Sequence, residues 1–190
     1  MRREIARSWL VPGMLIGAAT LATLVTLYGV AAWERGFAAD DAESRFAMNA
    51  ASLGTLEGEL AAGALYHASS EPLREFAAAI IDDHRRFYRG LEKAAQGVRL
   101  QRPDGMIQEH QDAYIRVTAL RGEVFERAYL EATIEEEEQA LAAFNVEAAR
   151  AHSDFARWAA DMLPALQKHL TRARELAAAG SAVAAARLDR

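Results

Sequence analysis

The chain has no cysteine, which excludes disulfide bridges and thiolate metal sites. It does not exclude an oxidising compartment, because a domain of this length can stand without staples. Proline is scarce, at four in 190 residues, and runs of β-branched residues are nearly absent. Little interrupts a helix, and the dominance of Ala, Leu, Glu and Arg points to an all-α chain. No Ser-His-Asp pattern, glycine-rich phosphate loop or cysteine motif stands out, so hydrolase and nucleotide readings have no support. No basic cluster stands out either. Arg and Lys alternate with Glu along helix faces, which argues against nucleic acid as a partner.

One stretch lacks charge altogether. From Ser8 to Ala32 there is no Asp, Glu, Lys or Arg, and Arg2, Arg3 and Arg7 precede the run. About 20 apolar residues cross a bilayer as a helix, and arginines before the run hold the N-terminus on the cytoplasmic side. Residues 1–33 are therefore expected to be a transmembrane signal anchor, which makes the membrane a partner through this helix. The domain then lies in the periplasm, tethered to the inner membrane. Val30-Ala31-Ala32 offers a small-residue cleavage site, in which case the domain is a free periplasmic one. The length of the run favours the uncleaved anchor, since signal h-regions span about 7–15 residues. Three arginines against one glutamate make this segment +2, so of the chain's −5 the exported part carries −7.

Beyond the anchor, residues 34–44 read as a polar linker, 45–179 as a helical bundle and 180–190 as a flexible tail. A first helix is expected from about Arg45 to His67, with Phe46, Asn49, Leu53, Leu56, Glu57, Leu60 and Ala64 on one face. Ser70 reads as the N-cap of a second helix, about Glu71 to Gln96, with Pro72 tolerated in its first turn. Its stripe is Leu73, Phe76, Ala77, Ile80, His84, Phe87 and Leu91. His84 thus stands in the middle of an apolar face, with Asp83 at the edge. Gly97 to Gly105 reads as a loop, Met106 to Leu120 as a shorter helix, and Arg121-Gly122 as a break.

The helix from Glu123 to about Arg150 has two apolar faces. One carries Leu130, Ile134, Glu137, Leu141 and Phe144; the other carries Phe125, Tyr129, Ala132 and Glu136. Ser153-Asp154 caps the last helix, whose stripe places His169 inward and Pro164 on the opposite face, where it removes a backbone hydrogen bond.

Glu57, His84, Glu137 and His169 are thus inward polar groups on four helices, with Asp83 and Glu136 beside them. A buried imidazole or carboxylate needs a partner, because leaving it bare costs about 1–3 kcal/mol. Two readings follow. Carboxylates and imidazoles from facing helices make a divalent-metal ligand set, with Glu57, His84, Glu137 and His169 as ligands and Asp83 and Glu136 as further candidates. The Glu-x-x-His spacing of di-iron bundles is missing, since Ile81 and Leu166 occupy the positions three before each His. In the other reading the Glu and His residues only pair with each other inside a non-catalytic structural or interaction domain. No catalytic residue is singled out.

The segments LEGELAAGAL, SSEPLREFAAAIIDDH, FERAYLEATIEEEEQALAAF and MLPALQKHL, between about Phe46 and Ala177, resemble the ferritin-like domain-of-unknown-function family 4142. These are exported bacterial four-helix proteins. The resemblance implies a ferritin-like four-helix bundle with an additional short helix, and no established activity. Carried over by position, the family's first-helix glutamate falls on Glu57, its first Asp-His pair on Asp83-His84, and its late Pro and His on Pro164 and His169. Its second Asp-His pair falls on Glu136-Glu137, where this chain has Glu in place of His.

Overall fold

The computed structural model describes residues 16–96, 105–150 and 152–188, with side-chain surroundings from residue 42 onward. Among the described residues there are five α-helices and no strand: α1 Ile16–His67, α2 Glu71–Ala94, α3 Gln108–Thr118, α4 Gly122–Ala148 and α5 Asp154–Leu188. The chain divides into two compact units, Met1–Ala42 and Glu43–Arg190. Among the described residues no helix is long and apolar enough to cross a membrane; the expected span, Ser8 to Ala32, begins outside them.

Two helices are longer than the sequence suggests. Residues 34–44, expected as a linker, are helical, and so is the expected tail as far as Leu188. Both stretches are alanine-rich and free of proline, so nothing stops helix propagation. On α1, Asn49 is exposed, and the inner face passes through Ala47 and Ala50 instead. Of the loop expected from Gly97 to Gly105, residues 97–104 lie outside the described set. Gly105 itself has φ 124°, and Gly122, at the break before α4, has φ 60°; such values suit a residue without Cβ. Ser153 caps α5 as expected, its Oγ accepting the Ala156 N–H at 2.9 Å. Pro164 is exposed within α5.

Ser70 occupies the N-cap of α2, but its side chain makes no capping bond. Glu126 of α4 does that work from outside: its Oε1 accepts the N–H groups of Ser69 (2.5 Å) and Ser70 (3.2 Å) and the Ser69 hydroxyl (2.6 Å). A carboxylate suits the positive end of a helix better than a hydroxyl does.

The apolar interior forms two clusters. One holds Leu56, Leu60, Ala64, Leu73, Phe76, Ile80, Val117, Phe125, Tyr129, Ala132 and Ala173. The other holds Ala47, Leu53, Phe87, Leu91, Ala140, Phe144, Phe155, Trp158, Met162 and Leu166. Their membership gives the sense of each helix. α1 and α5 run from the second cluster to the first, whereas α2 and α4 run from the first to the second. Because α2 and α4 share a direction, the chain must travel back along the helices between them. The segment containing α3 makes that return.

Candidate functional site

Three of the long helices change from one cluster to the other at a polar residue, and on α1 the change, between Leu53 and Leu56, falls just before Glu57. On α2, His84 stands between Ile80 and Phe87, and on α5, His169 stands between Leu166 and Ala173. On α4, Glu136 and Glu137 stand between Ala132 and Ala140, and on α1, Glu57 follows Leu56. A polar layer therefore separates the two apolar cores. Glu57, His84, Glu136, Glu137 and His169 are all buried, as the helical period predicts, and Glu137 is fully buried. In the run Glu135 to Glu138, the outer two are exposed and the inner two are not.

The layer is a connected series of contacts. His84 Nε2 lies 3.0 Å from Glu57 Oε2. The Glu57 and Glu137 carboxyls lie close enough for the charge on Glu57 to raise the pKa of Glu137. Glu137 Oε1 lies 2.9 Å from His169 Nδ1, and His169 Nε2 lies 3.1 Å from Asp83 Oδ2. Four of the residues singled out in the sequence thus converge, and Asp83 joins them. Glu136 does not: it faces the other way, with Oε2 3.4 Å from His110 Nε2.

Two buried carboxyls side by side favour a state in which one carries a proton, because adjacent negative charges repel. Burial raises the pKa of Glu137 well above the carboxylate range, and the Glu57 charge adds to this. Glu137 is accordingly the protonated member. His169 has a carboxyl oxygen on each ring nitrogen, which is satisfied when both nitrogens, or one nitrogen and one carboxyl, carry protons. Glu57 Oε1, Glu137 Oε2 and His84 Nδ1 have no hydrogen-bond partner. Beside His84 Nδ1 lies Gly58, where a Cβ would stand 3.7 Å away.

Tyr129 is also within reach of the layer's field. Its pKa is raised, first by burial and then by the Glu57 charge. Its hydroxyl is buried without a hydrogen-bond partner.

Sequence reasoning passed over a second buried set. His110 of α3 is buried, with Nδ1 2.6 Å from Ser52 Oγ, and Ser52 Oγ accepts the Ile107 N–H at 2.8 Å. Ser52, His110 and Glu136 have the composition of a nucleophilic triad. Ser52, however, is 0% exposed and already bonded on two sides, so the set fastens α3 to α1 rather than presenting a nucleophile. The signal was there, since His110, Ala113 and Val117 share one face of α3. Glu147, buried and paired with Arg150 at 3.0 Å, was missed too. Burial raises its pKa, as does Glu43, against the opposing pull of Arg150 and Ser153.

As they stand, no three His, Asp or Glu among the described residues are spaced to hold a metal ion. The composition of the layer nonetheless suits a cation: two carboxylates and two imidazoles, with buried lone pairs that lack a donor.

All-helical architecture, a buried Glu–His layer and the order of these motifs define the class. The family model described as domain of unknown function (DUF4142) matches residues 31–176, most of the chain. The chain belongs to this family. No curated protein and no solved structure matches it.

Proposed function

We propose that the chain is a periplasmic protein tethered to the inner membrane by its N-terminal segment, folded as a ferritin-like four-helix bundle. Its polar layer exchanges the proton of Glu137 for one divalent metal ion, in metal handling or the response to envelope stress. The fold reading is supported by α2 and α4 running in the same direction, which calls for the single long crossover of ferritin-like bundles. The tether is supported by the charge-free run after Arg2, Arg3 and Arg7.

The observation that carries the site is the buried pair Glu57–Glu137, two neighbouring carboxyls that each keep an oxygen without a hydrogen-bond partner. A divalent ion would neutralise both carboxylates, which one proton cannot do. Glu57, Glu137, His84 and His169 would hold it, and it would supply a fixed positive centre in an apolar interior. Asp83, bonded to the far nitrogen of His169, would orient that ring, as second carboxylates do beside metal-bound imidazoles.

A second reading is favoured by the existing pairing. Each imidazole of the layer already has a carboxyl partner, so the layer can serve as a device that aligns the helices of an interaction domain. One titration separates the two. The full-length chain is recovered from the membrane fraction, where the tether places it, and its melting temperature is followed against Mn²⁺, Zn²⁺ and Fe²⁺. Metal binding raises the melting temperature with concentration, by about 2.7 kcal/mol of stabilisation at a hundred times Kd. His84→Ala abolishes the rise. No metal-dependent rise, with His84→Ala still destabilising because Glu57 is stranded, would establish the pairing reading. Recovery in the soluble fraction would refute the tether.

A further inference from the structure

The polar layer has one member that is neither fully inside nor fully outside. The side chains of Glu57, His84, Glu137 and His169 are at most 9% exposed, whereas that of Asp83 is 16% exposed. Its two oxygens face in different directions. Oδ2 meets His169 Nε2 at 3.1 Å, and Oδ1 meets Arg86 Nη1 at 3.4 Å. Arg86 is one turn further along α2 and 70% exposed. The contacts from the carboxyl pair therefore lead through His169 and Asp83 to solvent, and the last carboxylate before solvent carries a resident guanidinium.

We infer that Asp83 and Arg86 form the gate of the polar layer: Asp83 is the outer docking point for an incoming cation, and Arg86 is the competing cation that must swing away. The assignment as a metal gate rests on the function proposed above, but the geometry can also be tested without metal. An i,i+3 ion pair at 3.4 Å whose guanidinium stands in solvent is weak, so it opens readily and leaves the outer oxygen of Asp83 free. The opposite end of the series ends inside, because His84 Nδ1 is buried beside Gly58 and has no hydrogen-bond partner. Asp83 is on this account a positioning residue. It holds the His169 ring by its inner oxygen and receives the cation on its outer one.

The experiment uses the full-length chain and has two arms. In the first, association of Mn²⁺ or Zn²⁺ is followed by stopped flow. Arg86→Gln speeds association about tenfold, and the gain shrinks with added salt, while Arg86→Lys keeps the slow rate. Asp83→Asn slows association and weakens affinity about tenfold, because the docking charge is lost and His169 loses its anionic partner. In the second arm no metal is present, and exchange of the His169 imidazole N–H with water is followed by ¹⁵N NMR. Arg86→Gln accelerates it, and the His84 N–H, with no Arg86 contact, is the internal control. Unchanged association and unchanged His169 exchange in Arg86→Gln would overturn the gate. Equal acceleration at His84 and His169 would also overturn it, since that is general loosening. If the wild-type chain takes up no ion, the metal reading fails and the exchange arm alone decides: selective acceleration at His169 sustains the gate, and its absence overturns it.

Discussion

Gly90 shows how closely a single residue can be specified. A Cβ placed there would lie 2.5 Å from Trp158 Nε1, well inside contact distance. The indole is fully enclosed, packing edge-on against Phe87 at 5.1 Å between centroids, so it has no room to give. Gly90→Ala is expected to destabilise by about 1–3 kcal/mol in urea unfolding, as overpacking does. Gly63→Ala, where nothing lies within 4 Å, is the helix-interior control and is expected to be neutral or to stabilise by roughly 0.5–1 kcal/mol. At this scale the sequence was readable where a long stripe framed the residue. Glu57, His84 and His169 each interrupt an apolar period of several turns. His110 sits on an 11-residue helix, where two apolar neighbours make too short a period to stand out. Which partner each imidazole takes was not readable at all. That depends on the rotation and order of the helices, so Glu136 and Glu137, adjacent in sequence, end up facing His110 and His169 respectively.

Among the elements, α2 depends on α4 for its beginning. Three donors at its N-terminus converge on one oxygen of Glu126. Glu126→Ala is expected to cost about 0.5–2 kcal/mol, the range of a lost N-cap. The measurement is hydrogen exchange, with protection falling at the Ser69 and Ser70 amides first. A fall spread evenly over α2 would show that Glu126 acts on the whole fold rather than on the cap. Sequence alone pointed to Ser70, the standard capping residue, because an acceptor from 56 residues away leaves no local trace. Helix lengths erred for a related reason. Charged stretches such as 34–44 read as linkers by polarity, yet they hold no proline, and the single Gly36 does not stop the helix.

Across the whole molecule, the buried carboxyls set the pH response of the metal-free chain. The folded-state pKa of Glu137 is raised from an ordinary 4.5 to about 11. Between those values the folded chain holds a proton that the unfolded chain releases. Stability is therefore fully supported below pH 4.5 and declines as pH rises through the window, by at most about 1.4 kcal/mol per pH unit for one group. Glu147, raised in the same direction, adds to the decline. Glu137→Gln keeps a hydrogen-bonding amide without the proton demand and is expected to flatten the slope. Urea midpoints at pH 5 and pH 8 that differ equally in wild type and variant would contradict this.

The division of the interior into two apolar cores has a consequence for unfolding. Trp158 is the single tryptophan after Trp33, and it lies in the core with Phe87, Phe144 and Phe155. Tyr129 lies in the other core, stacked on Phe125 at 6.1 Å. The two rings therefore sit on opposite sides of the polar layer. Should one core loosen before the other, assigned NMR signals of the Trp158 and Tyr129 rings would report different midpoints in the same sample, and the gap between the two curves would measure how firmly the layer couples the halves.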